Sequence, residues 1–271
     1  MSTSPATEQK NVRQTAVSLE RRGQVLLMGL NRPDKRNAFN LEMLDQLSLA
    51  YGVLEADPEL RAGVLFAHGQ HFTSGLDLAE VGAALVEGRE LPDGGHDPWR
   101  NDGKPWTKPV IAAVHGWVMT LGIELLLAAD IRIAAEGSRF AQIEVLRGIY
   151  PFGGVTTRLP REAGWGNAMR WLLTGDEYDA QEALRLGLAQ EVVPAGQQLT
   201  RALEIAERIA TRAAPLGVRA TLLAAQRAID EGDRAAASRL REDLVALLQT
   251  EDGAEGVRSF LERRPANFTG R

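Results

Sequence analysis

Two glutamates stand in surroundings that ought to exclude charge. Glu124 interrupts the run Leu121-Gly122-Ile123-Glu124-Leu125-Leu126-Leu127-Ala128-Ala129, and Glu144 lies within Phe140-Ala141-Gln142-Ile143-Glu144-Val145-Leu146. Burying an unpaired carboxylate is costly, and the group tends to take up a proton instead. Desolvated carboxyls titrating near neutrality are what a general acid–base pair needs. Taken singly, each also reads blandly: Glu124 on the wet face of an amphipathic helix, Glu144 on the solvated side of a strand end.

Two further segments could supply electrophilic groups. In Phe72-Thr73-Ser74-Gly75-Leu76-Asp77-Leu78 a strand ends, a glycine bends the chain and a helix begins. His115-Gly116-Trp117-Val118-Met119-Thr120-Leu121-Gly122-Ile123-Glu124 repeats that pattern. Backbone N–H groups at a helix start are unpaired and point outward. Two such turns brought together would make an oxyanion hole, and a glutamate beside the second points to enolate or tetrahedral-intermediate chemistry. A third segment, Gly148 to Leu159, holds Gly153-Gly154 and should open another helix. It lacks the lysine and the serine or threonine of a phosphate loop. Ser74, with His115 as base, is a candidate nucleophile for a hydrolase, although a serine and a histidine at unrelated positions are usually structural.

Composition narrows the classes. There is no cysteine, which excludes disulfides, thiolate catalysis and thiolate-held metal. The four histidines show no zinc-like spacing, so no metal is expected. A net charge of −5 gives no basic field for nucleic acid. The polar start, MSTSPATEQKNVRQ, has no apolar signal core, and no apolar run approaches the ~20 residues of a membrane span. A soluble, cytoplasmic protein is expected, with no membrane partner.

These groups must be held by a framework. Residues 1–13 read as a disordered tail. A hairpin follows, 16–19 with 24–30 around Arg21-Arg22-Gly23. Asn40 should cap a helix whose apolar positions are Met43, Leu44, Leu47, Tyr51 and Leu54. Strands are expected at 63–67, 110–114, 131–134 and 139–141, with helices at 76–86 and 121–129. Short strands alternating with helices argue for an α/β core over 14–195. The segment 88–109 is long, rich in Gly, Pro and Asp, and expected to be mobile and to wall a pocket. From 196 to 271 the pattern is helical: 197–213, 216–230, 233–250 and 253–264.

In their order along the chain these blocks resemble the crotonase (enoyl-CoA hydratase/isomerase) superfamily. The resemblance runs from about residue 16 to the end. It is carried by Asn31-Arg32-Pro33 with Asn37-Ala38, by Phe72 with Gly75-Leu76-Asp77-Leu78, and by Lys108 to Gly116 continuing to Glu124-Leu125. Ala141-Gln142 with Glu144, Gly148, Pro151 and Gly153-Gly154 looks like the third block, and Thr250 to Pro265 resembles the C-terminal helix. The resemblance implies a spiral of strand–strand–helix repeats with a C-terminal helical region that packs in a homotrimer or a dimer of trimers. It implies an acyl-CoA thioester substrate, with coenzyme A part of the substrate and no separate cofactor.

By position, the N–H groups of Leu76 and Leu121 would hold the thioester oxygen, and Glu124 and Glu144 match the two glutamates of hydratases. Ala38, Ser74, Asp77, Leu78 and Gly122 would line the CoA path. Ala79 stands where some relatives carry a lysine for the CoA phosphates, leaving Lys35, Arg36 or a neighbouring subunit's Arg263 to serve. Phe152 stands where dienoyl-CoA isomerases place an aspartate, which argues against that reaction. The usual glycine run of the second loop is here Thr120-Leu121-Gly122, where a positive φ would disfavour leucine and Leu121 would narrow the pocket. The implied activity is enoyl-CoA hydration. The alternatives are a double-bond isomerase, an acyl-CoA thioester hydrolase and an inactive CoA-binding homologue.

Overall fold

A computed structural model describes residues 15–90, 92–101 and 106–271. The expected tail, 1–13, lies outside the described residues. The hairpin is β1 (Val17–Arg22) and β2 (Val25–Leu30), turning at Gly23 with φ +57. β3 (Ala62–Ala67), β4 (Val110–Val114), β5 (Trp117–Met119), β6 (Ile131–Ala135), β7 (Arg139–Ala141), β8 (Tyr178–Asp179) and β9 (Glu191–Val193) follow. One sheet runs β1-β2-β3-β4-β6-β9, parallel from β2 onward, and a smaller sheet runs β5-β7-β8. The inner strands β2, β3 and β4 read as continuous apolar runs because both faces of the sheet are covered there.

Alternation along those strands separates the two faces. Val25, Leu27, Val64, Ile111, Ala113 and Ile133 pack against Ala202, Leu203, Ala206 and Ala210 of a helix at Gln198–Arg212. Leu26, Met28, Leu30, Leu65, Ala112 and Val114 join the larger cluster on the other side. That cluster contains the apolar stripe of α1 (Leu41–Ala56), whose cap Asn40 accepts from the Met43 N–H at 3.1 Å, as the sequence predicts. Fully burying one such Leu or Met is worth about 1.5–3 kcal/mol.

The remaining helices are α2 (Leu78–Val86), α3 (Leu121–Ala128), α4 (Val155–Ala163), α5 (Trp165–Thr174), α6 (Ala180–Arg185), α7 (Gln198–Arg212), α8 (Pro215–Glu231), α9 (Asp233–Leu248) and α10 (Glu251–Glu262). The spiral shows in its connections. β4 leads to β5 and then α3, and β6 leads to β7 and then α4. β3 leads to Thr73, which bridges in parallel to Val118 of β5, and then to α2. Successive strand-to-helix junctions therefore stack beside one another, and the candidate site forms along that edge.

α7 lies beyond the expected core limit at 195, yet it covers one face of the large sheet. The later helices bury little. α8 has no buried residue, and α9 has only Ala236. Ile229, Leu240, Leu244 and Leu248 are each more than half exposed. Among the described residues no helix is long and apolar enough to cross a membrane. No cluster of His, Cys, Asp or Glu among them could hold a metal ion.

Candidate active site

The first junction is braced on every side except one. Asn37 is fully buried, and its amide donates to the carbonyls of His68 and His71 at 2.8 Å each. The Ser74 N–H donates to Arg36 O, Gly75 N–H to Thr73 Oγ1, and Asp77 N–H to Phe39 O. Phe39 pairs in parallel with Leu76, taking the Asp77 N–H and giving its own to Gly75 O, so the Leu76 N–H faces away. Among the described residues the Leu76 N–H has no acceptor. α2 starts at Leu78, two residues later than expected.

The second junction differs from expectation in an informative way. Leu121 has ordinary helical geometry as the first residue of α3; the positive φ falls on Thr120, at φ +47 and ψ −117. A β-branched residue rarely adopts that region, and such conformations cost about 1–3 kcal/mol. The Thr120 carbonyl accepts from the N–H groups of Ile123 and Glu124, and its own N–H donates to Ala141 O. The Leu121 N–H is left without an acceptor among the described residues, as helix starts dictate. Gly122 is buried against Thr73, whose methyl lies 2.2 Å from where a Cβ would sit. Its glycine is needed for packing.

α3 has no wet face, since all eight of its residues are buried, which overturns the amphipathic reading of Glu124. Glu124 is 1% exposed, and its Oε1 accepts from the Val155 N–H at 3.2 Å, at the start of α4. Burial pushes its carboxyl up to about 7; the charge of Glu144 adds to the rise, while the Val155 and Gly153 N–H groups and Arg158 oppose it. Glu144 is no strand end. It opens a 3-10 turn, Glu144–Arg147, in which the carboxyl is buried while the neighbouring Val145 and Leu146 are exposed. Its Oε2 is buried with no hydrogen-bond partner among the described residues, and burial lifts this carboxyl to about 7 as well.

A cavity of about 670 Å³ lies against the two junctions, lined by Leu76, Val81, Trp99, Leu121, Phe152 and Gly153 among others. A cavity of about 700 Å³ lies elsewhere, between α7, α8 and Phe268–Arg271, and neither donor residue lines it; Glu124 and Glu144 lie behind the lining of the first cavity, Glu124 against Gly153. The segment 88–109 does wall the first cavity, but its described residues are pinned rather than loose. Trp99 is buried, and its indole donates to Leu121 O at 3.1 Å. Arg100 lies over the Trp106 ring at 3.4 Å and pairs with Asp130 at 3.0 Å.

Trp99 and Val155 are the contacts that sequence reasoning missed. Nothing in spacing ties residue 99 to 121, or 155 to 124, because both contacts cross between different turns of the spiral.

The expected CoA residues are spread along the outer side of the first junction. Lys35 and Arg36 are exposed, Ala38, Ser74 and Asp77 are half-buried, and Leu78 is exposed. Arg263 caps α10 in the left-handed region at φ +54 and bonds to no donor-junction residue of its own chain. His115 Nε2 pairs with Gly69 O at 3.0 Å, and no hydrogen bond joins Ser74 to His115 among the described residues. The Ser74 hydrolase reading thus lacks its dyad.

Residues 20–271 match the sequence pattern described as enoyl-CoA hydratase/isomerase. The chain belongs to this family. Within the enoyl-CoA hydratase/isomerase family, it is 36% identical to enoyl-CoA hydratase EchA19 of Mycobacterium tuberculosis, over 93% of this chain and 96% of that one. It is 34% identical to the 2,3-dehydroadipyl-CoA hydratase of Escherichia coli, over 93% and 98%. Among solved structures, a probable enoyl-CoA hydratase/isomerase from Mycobacterium abscessus superposes with a TM-score of 0.92 at 54% identity, covering 94% of this chain and 99% of that one. The mixed α/β spiral with a helical C-terminal region is the family fold.

Proposed function

We propose that this enzyme is an enoyl-CoA hydratase, adding water across the 2,3 double bond of an enoyl-CoA thioester. The carrying observation is the pair of buried carboxyls, Glu124 and Glu144, both lifted to about 7, with Glu124 in the first turn of the helix that opens at the Leu121 N–H. The thioester oxygen lies between the N–H groups of Leu76 and Leu121. As water attacks Cβ, charge moves onto that oxygen, and donors already aimed there hold the enolate more tightly than the substrate. Glu124, ionised, takes a proton from the attacking water, and Glu144, protonated, gives one to Cα. The site resets when the proton gained by Glu124 replaces the one lost by Glu144. The route uses no metal and no cofactor beyond the CoA of the substrate.

Lys35 and Arg36 would meet the CoA phosphates, with Arg263 of the partner subunit completing the set in a homotrimer or a dimer of trimers. The uncovered apolar faces of α8 and α9 support that assembly. A panel of enoyl-CoA thioesters, followed by loss of the conjugated thioester absorbance in heavy-oxygen water, tests the reading. Incorporation of the label as a 3-hydroxyl is expected. Double-bond migration without label would make the enzyme an isomerase, and no reaction across the panel would make it a binding homologue.

A further inference from the structure

Thr120 and Gly75 are the residues immediately upstream of the two donors, and they touch. A Cβ on Gly75, which sits at φ +97, would come within 2.0 Å of Thr120 Oγ1, 3.2 Å of its Cβ and 3.4 Å of its Cγ2. The contact therefore spans the seam between the Gly75–Leu76 and Thr120–Leu121 peptides, whose N–H groups are the two without acceptors. The backbone around Thr120 is fixed from both sides: Met119 N–H donates to Thr73 O, and Thr120 N–H donates to Ala141 O. Glycine would sit at φ +47 without strain, yet it would leave the seam empty, so that backbone hydrogen bonds alone would set the spacing of the two peptides. Thr120 Oγ1 has no hydrogen-bond partner among the described residues, and Thr120 does not line the cavity with Leu121. Its hold on the seam is steric.

We propose that Thr120 is a positioning residue: its branched side chain, wedged against Gly75, sets the spacing and aim of the Leu76 and Leu121 N–H groups. A strained backbone conformation at this point is exchanged for a fixed donor pair. The inference rests on the hydratase reading for the identity of the oxygen those donors meet. It goes beyond that reading in assigning the geometry to a residue that does not touch the substrate.

Opposite effects on stability and turnover test it. Thr120→Gly removes both strain and wedge. The apoenzyme should melt at an unchanged or higher temperature, while kcat on crotonyl-CoA falls at least tenfold and KM stays within about twofold. Thr120→Val keeps the branched shape without the hydroxyl and should hold kcat within about threefold of the parent. A second readout needs no turnover: the carbonyl stretch of bound butyryl-CoA, lowered in the parent and in Thr120→Val, should move back toward its free value in Thr120→Gly. If Thr120→Gly matches the parent in both kcat and carbonyl shift, the wedge is overturned and Thr120 is merely tolerated. If Thr120→Val fails as Thr120→Gly does, the hydroxyl rather than the wedge is what matters, and the proposal is again overturned. A parent that turns over no enoyl-CoA but still shifts the butyryl-CoA carbonyl through Thr120 would sink the hydratase reading alone. A parent that leaves the carbonyl unshifted would sink both.

Discussion

Glu124 rests directly on the backbone of Gly153: a Cβ there would lie 2.6 Å from Glu124 Oε2 and 2.8 Å from Leu121 Cδ1. The carboxyl and the first residue of α3 are thus seated together against the loop that opens α4. Gly153 has no positive φ, so its identity is set by this close approach and not by backbone freedom. Gly153→Ala should therefore fold, with a modest drop in melting temperature, and push the carboxyl aside. A displacement of ~1 Å at a reacting group can cost about a hundredfold, so kcat should fall by that order with little change in KM. Steady-state kinetics with circular dichroism melts would check it, and an unaltered kcat would show that Glu124 does not need this seat.

Replacing each carboxyl by its amide removes proton chemistry while keeping shape. Glu124→Gln and Glu144→Gln should each lose on the order of 10²–10⁴ in turnover with substrate binding retained. The double variant should fall far short of the product of the two losses, because both groups act in one transition state. Near-normal hydration by either single variant would remove that residue from the mechanism.

The pH profile of kcat/KM should be bell-shaped, with its limbs on either side of about 7. Activity falls at lower pH as Glu124 takes up a proton and at higher pH as Glu144 loses one. In the working state Glu144 is protonated and uncharged, so Glu144→Gln, also uncharged, should leave the acid limb of the residual activity in place and remove the alkaline limb. Stability follows with the opposite sense from a salt-bridged carboxylate. Both groups hold protons more tightly when folded, so the native state loses stability as pH climbs from the ordinary carboxyl range through about 7. The melting-temperature advantage of either amide variant should grow across that window and level off above it.

Leu121 lines the cavity beside Trp99 and Phe152, and its side chain occupies space that a glycine would leave open. Small to medium enoyl groups should be preferred. Leu121→Gly should shift the chain-length profile toward longer substrates, since Leu121 already has helical φ and ψ and supplies its N–H from either residue. A uniform rise across all lengths would show instead that the side chain disturbs the donor, whose restoration is worth ~2.7–4 kcal/mol in comparable sites.

The exposed apolar residues of α8 to α10 should be covered in solution. Phe260 and Leu261 are 82% and 74% exposed in the single chain. Sedimentation should give a trimer or a dimer of trimers. A monomer at all concentrations would leave those faces unexplained and would remove Arg263 from any neighbouring CoA site.

Much of this protein follows from local sequence alone. Asn40 and the stripe from Met43 to Leu54 define α1 because capping and the helical period act within a few residues. The Gly-led junctions at 75 and 120–122, and the two glutamates in apolar runs, were visible for the same reason. The spiral itself was legible only through family resemblance, since pairings such as Thr73 with Val118 join distant segments. Tertiary structure alone decided that α3 has no wet face and that Glu144 turns inward while Val145 and Leu146 turn out. It also decided that the strained φ belongs to Thr120 and not Leu121, that α7 closes the sheet, and that Trp99 reaches across to the Leu121 carbonyl. Each depends on which surface a neighbouring turn of the spiral covers, and desolvation, which gives the two carboxyls their chemistry, exists only once that cover is in place.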